Sequence, residues 1–107
     1  MTCSYNVGIH LSEEESYDIA IEIGRKVFPY KSIIRCFRNK NNNELFLLIT
    51  SELSPVDLTQ LTGISLEKME MISGKNPFID PVKKYLRAHS ELVPEHPNNQ
   101  PTATFLK

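Results

Sequence analysis

Five consecutive apolar residues, Leu45-Phe46-Leu47-Leu48-Ile49, stand between Glu44 and Thr50. A run of this length is strand-sized, and alternate residues of a strand face opposite sides. Both faces of this strand are therefore apolar, which places it inside a sheet and not at its rim. It is the longest unbroken apolar run in the chain, far short of the roughly 20 residues that a membrane-spanning helix needs.

The preceding segments supply its neighbours. Tyr5, Val7, Ile9 and Leu11 share one face of a strand, and Asn6, Gly8 and His10 share the other. Ser12 to Phe28 then takes a helical period. Tyr17, Ile19, Ala20, Ile21, Ile23, Gly24, Val27 and Phe28 form a broad apolar arc opposite Glu14, Asp18, Glu22, Arg25 and Lys26. Ser12 and Glu15 have capping-box spacing, and Pro29 stops the helix. Ser32 to Arg38 reads as a second strand, joined to the apolar one by Asn39-Lys40-Asn41-Asn42-Asn43, where asparagine tolerates positive φ. Arg35 and Arg38 fall on opposite faces of that second strand, and charges on both faces suit an edge. The expected fold is α+β: a three-stranded mixed sheet, β-α-β-β with strand order 1-3-2, covered by one long helix and followed by two or three short C-terminal helices.

The second half changes character. Ser54-Pro55-Val56-Asp57 reads as an N-cap, a proline at the first helical position and an acid at the third. Gly63 closes that helix. Ser65 then caps a second short helix over 66–73, and Asp80-Pro81 starts a third, reaching about Ser90. The pair of helices around Gly63, over 55–73, resembles the helix-turn-helix class in its spacing. It departs at Thr59, where that class has a small alanine. It departs further in the second helix, whose outward residues include Glu67, Glu70, Leu66 and Met71, poor partners for phosphates. Domain 1–93 is expected to be a single α+β unit. Residues 94–107, with three prolines and no helical period, are expected to form a flexible tail.

Charge narrows the function classes. The chain of 107 residues carries 12 Lys+Arg against 13 Asp+Glu, a formal charge of −1, which disfavours a protein built wholly as a nucleic-acid sleeve. Six of the cations, Arg25, Lys26, Lys31, Arg35, Arg38 and Lys40, fall in one stretch with no acid between Ile23 and Asn43. That stretch reads as a basic edge-strand face for a protein partner with an acidic surface, or as simple protection of a strand edge. No catalytic constellation is found: His10, His89 and His96 are far apart in sequence, and no Cys/His spacing suits zinc. No cofactor and no metal are expected. No basic region followed by an apolar stretch opens the chain, and the two cysteines, Cys3 and Cys36, read as reduced thiols of a cytoplasmic protein. The resulting expectation is a small non-enzymatic binding module or regulator acting through protein contacts. The alternative is a nucleic-acid-binding regulator using Ser65, Lys68 and Met71 of the helix-turn-helix-like unit.

Overall fold

The structure, a computed structural model, describes residues 4–12, 16–73, 78, 80–95 and 105–106. Its elements in chain order are β1 (Tyr5–Leu11), α1 (Ser16–Val27), a 3-10 turn (Phe28–Tyr30), β2 (Ile33–Asn39), β3 (Leu45–Ser51), α2 (Pro55–Thr62), a 3-10 turn (Leu66–Lys68), β4 (Met69–Met71), α3 (Pro81–Ala88), β5 (Leu92–Pro94) and β6 (Phe105–Leu106).

The sheet corrects the sequence expectation. It is antiparallel and five-stranded, in the order β4-β1-β3-β2-β5, with the two-residue β6 running parallel to β2. It is not mixed over its first three strands, because β3 runs antiparallel to both β1 and β2. Nor does one long helix cover it. Helices α1 and α2 pack on one face, around Val7, Ile9, Leu11, Ile34, Cys36, Leu45, Leu47 and Ile49. Helix α3 packs on the other, over Phe37, Phe46 and Leu48. This two-sided cover explains why Leu45 to Ile49 is apolar throughout: all five residues are buried, each face against a different layer.

The helix over 66–73 does not form. Ser65 caps only a 3-10 turn, its Oγ accepting from the Glu67 N–H at 3.2 Å, and the chain then enters β4. Pairing with the outer side of β1 supplies the backbone bonds that a helix would have supplied, and Ile72 N–H donates to Asn6 C=O at 2.8 Å. The helix-turn-helix unit is therefore absent, and only its first helix exists.

Local sequence accounts for α2 and α3. At α2, Ser54 Oγ accepts from Asp57 N–H (3.2 Å) while Asp57 Oδ2 accepts from Ser54 N–H (3.1 Å), a complete capping box. Gly63, at φ 79°, ends it in the left-handed region. At α3, Asp80 Oδ1 accepts from Val82 N–H at 2.9 Å. The capping partner expected for Ser12 at α1, Glu15, lies outside the described residues, as does Cys3; Cys36 is a free, buried thiol. Residues 96–104, most of the expected flexible tail, also lie outside them. Pro94 and Glu95 join the sheet margin, and the backbone of Phe105–Leu106 pairs with β2. Among the described residues no helix is long and apolar enough to cross a membrane, and no group of three or more His, Cys, Asp or Glu could hold a metal ion.

Candidate protein-docking edge

A sheet ends in two outer strands, and each must manage its unpaired backbone groups. Here the two sides differ. On the β2 side the chain covers its own strand. Lys40 N–H donates to Glu91 C=O (2.9 Å) and Glu95 N–H to Cys36 C=O (2.8 Å), so odd-numbered residues of the β5 segment face β2 and even-numbered ones face outward. Of the outward pair, Leu92 gives its N–H to His89 C=O at 3.0 Å. Pro94 has no N–H to give. The outer side of β5 therefore offers no backbone donor. β6 pairs with β2 at Ile34 and Arg35. The expectation of β2 as an exposed basic edge strand is thus corrected: β2 lies between β3 and the β5 and β6 strands.

A three-residue latch fixes this closed side. Glu95 Oε2 accepts from Arg38 Nε (3.0 Å), from a terminal guanidinium nitrogen of Arg38 (2.7 Å) and from the Tyr17 hydroxyl. The Arg38 guanidinium also sits 5.1 Å from the Tyr17 ring centre, and its other terminal nitrogen donates to Asn43 C=O at 2.8 Å. One carboxylate thus ties α1, β2 and the end of β5 together. Burial alone would raise the Glu95 carboxyl, but the hydrogen bonds from Arg38 and Tyr17 and the guanidinium charge outweigh it and hold it below the usual glutamate range. A carboxyl depressed in the folded state adds stability above its unfolded pKa and loses it as pH falls through the folded value. The latch should therefore weaken progressively below about pH 4.5, the ordinary value. Melting curves should show Glu95→Gln less stable than the wild type at neutral pH, with the gap closing in acid. A gap independent of pH would mean that the Glu95 charge contributes nothing.

Among the described residues no strand covers the opposite side, where β4 is outermost. The Ile72–Asn6 bond makes Gly8 and Glu70 a hydrogen-bonded pair, and Val7 with Met71 a non-bonded one. The backbone groups of Met69 and Met71 consequently point away from β1. Met69 N–H bonds to Leu66 C=O, but Met71 N–H and C=O have no partner among the described residues. Met71 is 52% exposed, and Leu66 is 49% exposed. β4 thus presents a short apolar edge with a donor and an acceptor both unused.

Beside that edge, on the α3 face, lies a group that sequence reading did not assemble. His10 Nε2–H donates to Glu70 Oε1 at 3.1 Å, and the Tyr85 hydroxyl donates to the same oxygen at 3.0 Å. Partial burial and the Glu70 hydrogen bond hold the Tyr85 hydroxyl above the ordinary phenol range. Phe46 packs between His10 (ring centres 4.8 Å apart) and Tyr85 (5.7 Å), and Tyr85 stacks on His89 at 4.1 Å. The residues come from β1, β3, β4 and α3, so no spacing within one segment could reveal them. The group fixes Glu70, and with it the middle of β4, against the sheet.

The basic stretch is dispersed. Arg38 is committed to Glu95, and Lys26 pairs with Glu22 at 3.5 Å. Arg35 is half-buried on the α3 face, the face opposite Arg38. Lys31 and Lys40 are exposed at opposite ends of β2, whose seven residues span about 20 Å at the usual rise. Arg25 is exposed on α1. Of the residues expected in the alternative reading, Ser65 caps the 3-10 turn, Lys68 ends it, and Met71 lies on the open edge.

No known protein-family model, curated protein or solved structure matches the chain.

Proposed function

We propose that this chain is a small, non-enzymatic, cytoplasmic binding domain that takes up an extended segment of another protein as an added strand on β4. The observation that carries the proposal is the inequality of the two sheet margins. One is closed by the chain itself, and the other leaves Met71 N–H and C=O without a partner among the described residues, beside exposed apolar side chains. Strand addition draws its affinity from main-chain bonds and its selectivity from alternate side chains. A cytoplasmic setting suits the free, buried Cys36, whose thiol burial pushes up to about 12, leaving it protonated and inert. Binding without chemistry suits the His10–Glu70–Tyr85 group, whose imidazole and carboxylate are each more than 40% exposed to water.

The test is a single substitution. Met71→Pro removes the outward N–H without breaking any bond to β1, since proline is tolerated on edge strands. Its melting temperature should stay within about 5 °C of wild type. Nuclease-treated native lysate should yield a partner that binds the wild type, is lost with Met71→Pro, and is kept by Lys31→Glu/Arg35→Glu. The Met71 amide should gain hydrogen-exchange protection in that complex. The basic-stretch proposal makes the contrary demand, loss on the charge reversal alone, and the nucleic-acid proposal requires binding that nuclease abolishes. Either result overturns the β4 reading.

A further inference from the structure

Between α2 and the Phe28–Tyr30 turn lies a concavity of about 440 Å³, lined by Tyr30, Leu53, Asp57, Gln60 and Leu61. Leu53 and Leu61 are half-buried against the core and supply an aliphatic floor. Tyr30, Asp57 and Gln60 are exposed. Asp57 and Gln60, three apart on a helix, share one face. The capping box uses Asp57 Oδ2 only, and Oδ1 has no hydrogen-bond partner among the described residues. Among the described residues no ion pair reaches Asp57, and no hydrogen bond reaches the Tyr30 hydroxyl or the Gln60 amide. Among the described residues the lining contains no Lys, Arg or His, and Asp57 is the one formally charged side chain.

We infer that this concavity receives an arginine side chain from a partner protein. Two oxygen acceptors with no partner among the described residues, Asp57 Oδ1 and Gln60 Oε1, line one concavity with an apolar floor and an aromatic ring, and Asp57 brings a negative charge with no cationic partner among those residues. A guanidinium meets all of these at once. Its plane stacks on Tyr30, its N–H fork donates to Asp57 Oδ1 and Gln60 Oε1, and its methylene stem lies on Leu53 and Leu61. A lysine ammonium offers no planar fork and no stacking face. The site uses no residue of β4, so it is independent of the strand-addition reading.

The test is a titration of the 15N-labelled chain with N-acetyl-arginine N-methylamide, followed by NMR. The uncharged citrulline analogue and the lysine analogue serve as controls. Shifts should localise to Tyr30 and to residues 53–61, with a dissociation constant in the millimolar range that weakens as salt is added. Asp57→Asn should weaken binding by about fivefold or more. Tyr30→Ala and Gln60→Ala, which leave the Ser54–Asp57 capping box intact, should each weaken it as well, and they carry the test if Asp57→Asn disturbs the helix. Met71→Pro should titrate like the wild type, so failure of the β4 reading is distinguishable from failure of this one. Absent or scattered shifts, or a citrulline analogue that binds equally, would overturn the proposal. A lysine analogue that binds as tightly as arginine would overturn the choice of guanidinium.

Discussion

Phe46→Ala should lower the unfolding free energy by about 3–5 kcal/mol, measured by denaturant melts, the range for removing a buried phenylalanine. Phe46 is 1% exposed and is the largest fully buried side chain among the described residues. Its ring touches His10, Phe37 and Tyr85, so its loss opens the α3-side core at the centre of that cluster. It also lies directly over Gly8, where an added Cβ would overlap its ring. Gly8→Ala should therefore cost about 1–3 kcal/mol alone, the usual penalty of overpacking. In the Phe46→Ala background the same change should cost much less, because the colliding ring is gone. A double-mutant cycle reads this coupling directly. Additive effects would show that Gly8 is present for another reason.

Ile23→Ala should cost about 2–5 kcal/mol. Ile23 is 2% exposed and packs in the core beneath α1 with Ala20 and Val27. A twelve-residue helix is marginal in water by itself, so α1 depends on this contact for its stability. Far-UV circular dichroism of Ile23→Ala should show earlier loss of helix on heating. A cost near zero would mean that another face of α1 holds it to the sheet.

Legibility in the sequence followed the range of the interactions. β1, α1, the β2–β3 loop and α2 announce themselves through neighbours in sequence: period-two alternation, a broad apolar arc, an asparagine run that places Asn43 at φ 66°, and a Ser54–Asp57 cap. β4 did not, because Leu66, Met69 and Ile72 recur at a spacing of three and mimic one face of a helix. The vacant outer side of β1 decided otherwise, and no window around Met69 contains β1. β5 has three residues and includes a proline, too little for alternation to show. Arg38 looked like an edge charge because its partner, Glu95, lies 57 residues away. The cover by α3 was missed for the same kind of reason. Val82, Tyr85 and Leu86 have the spacing of one helix side, but only the packed structure shows that they lie on Phe46 and not beside α1. Of the candidate site, the sequence pattern places Met71 on a helix that does not form, and no spacing brings Glu70 and Tyr85 together.

The unlike sheet margins also govern how copies of this chain can assemble with one another. Growth of a fibre by edge pairing needs a molecule that can accept a strand on one side and offer a matching edge on the other. β4 can pair, but the outer side of β5 has only carbonyls to show, Leu92 having given its N–H to His89 and Pro94 having none. Two copies could join β4 to β4 and leave no further β4 edge exposed. Pro94 thus removes a backbone donor from the outer side of β5, and replacing it with a residue that carries an N–H would restore one there.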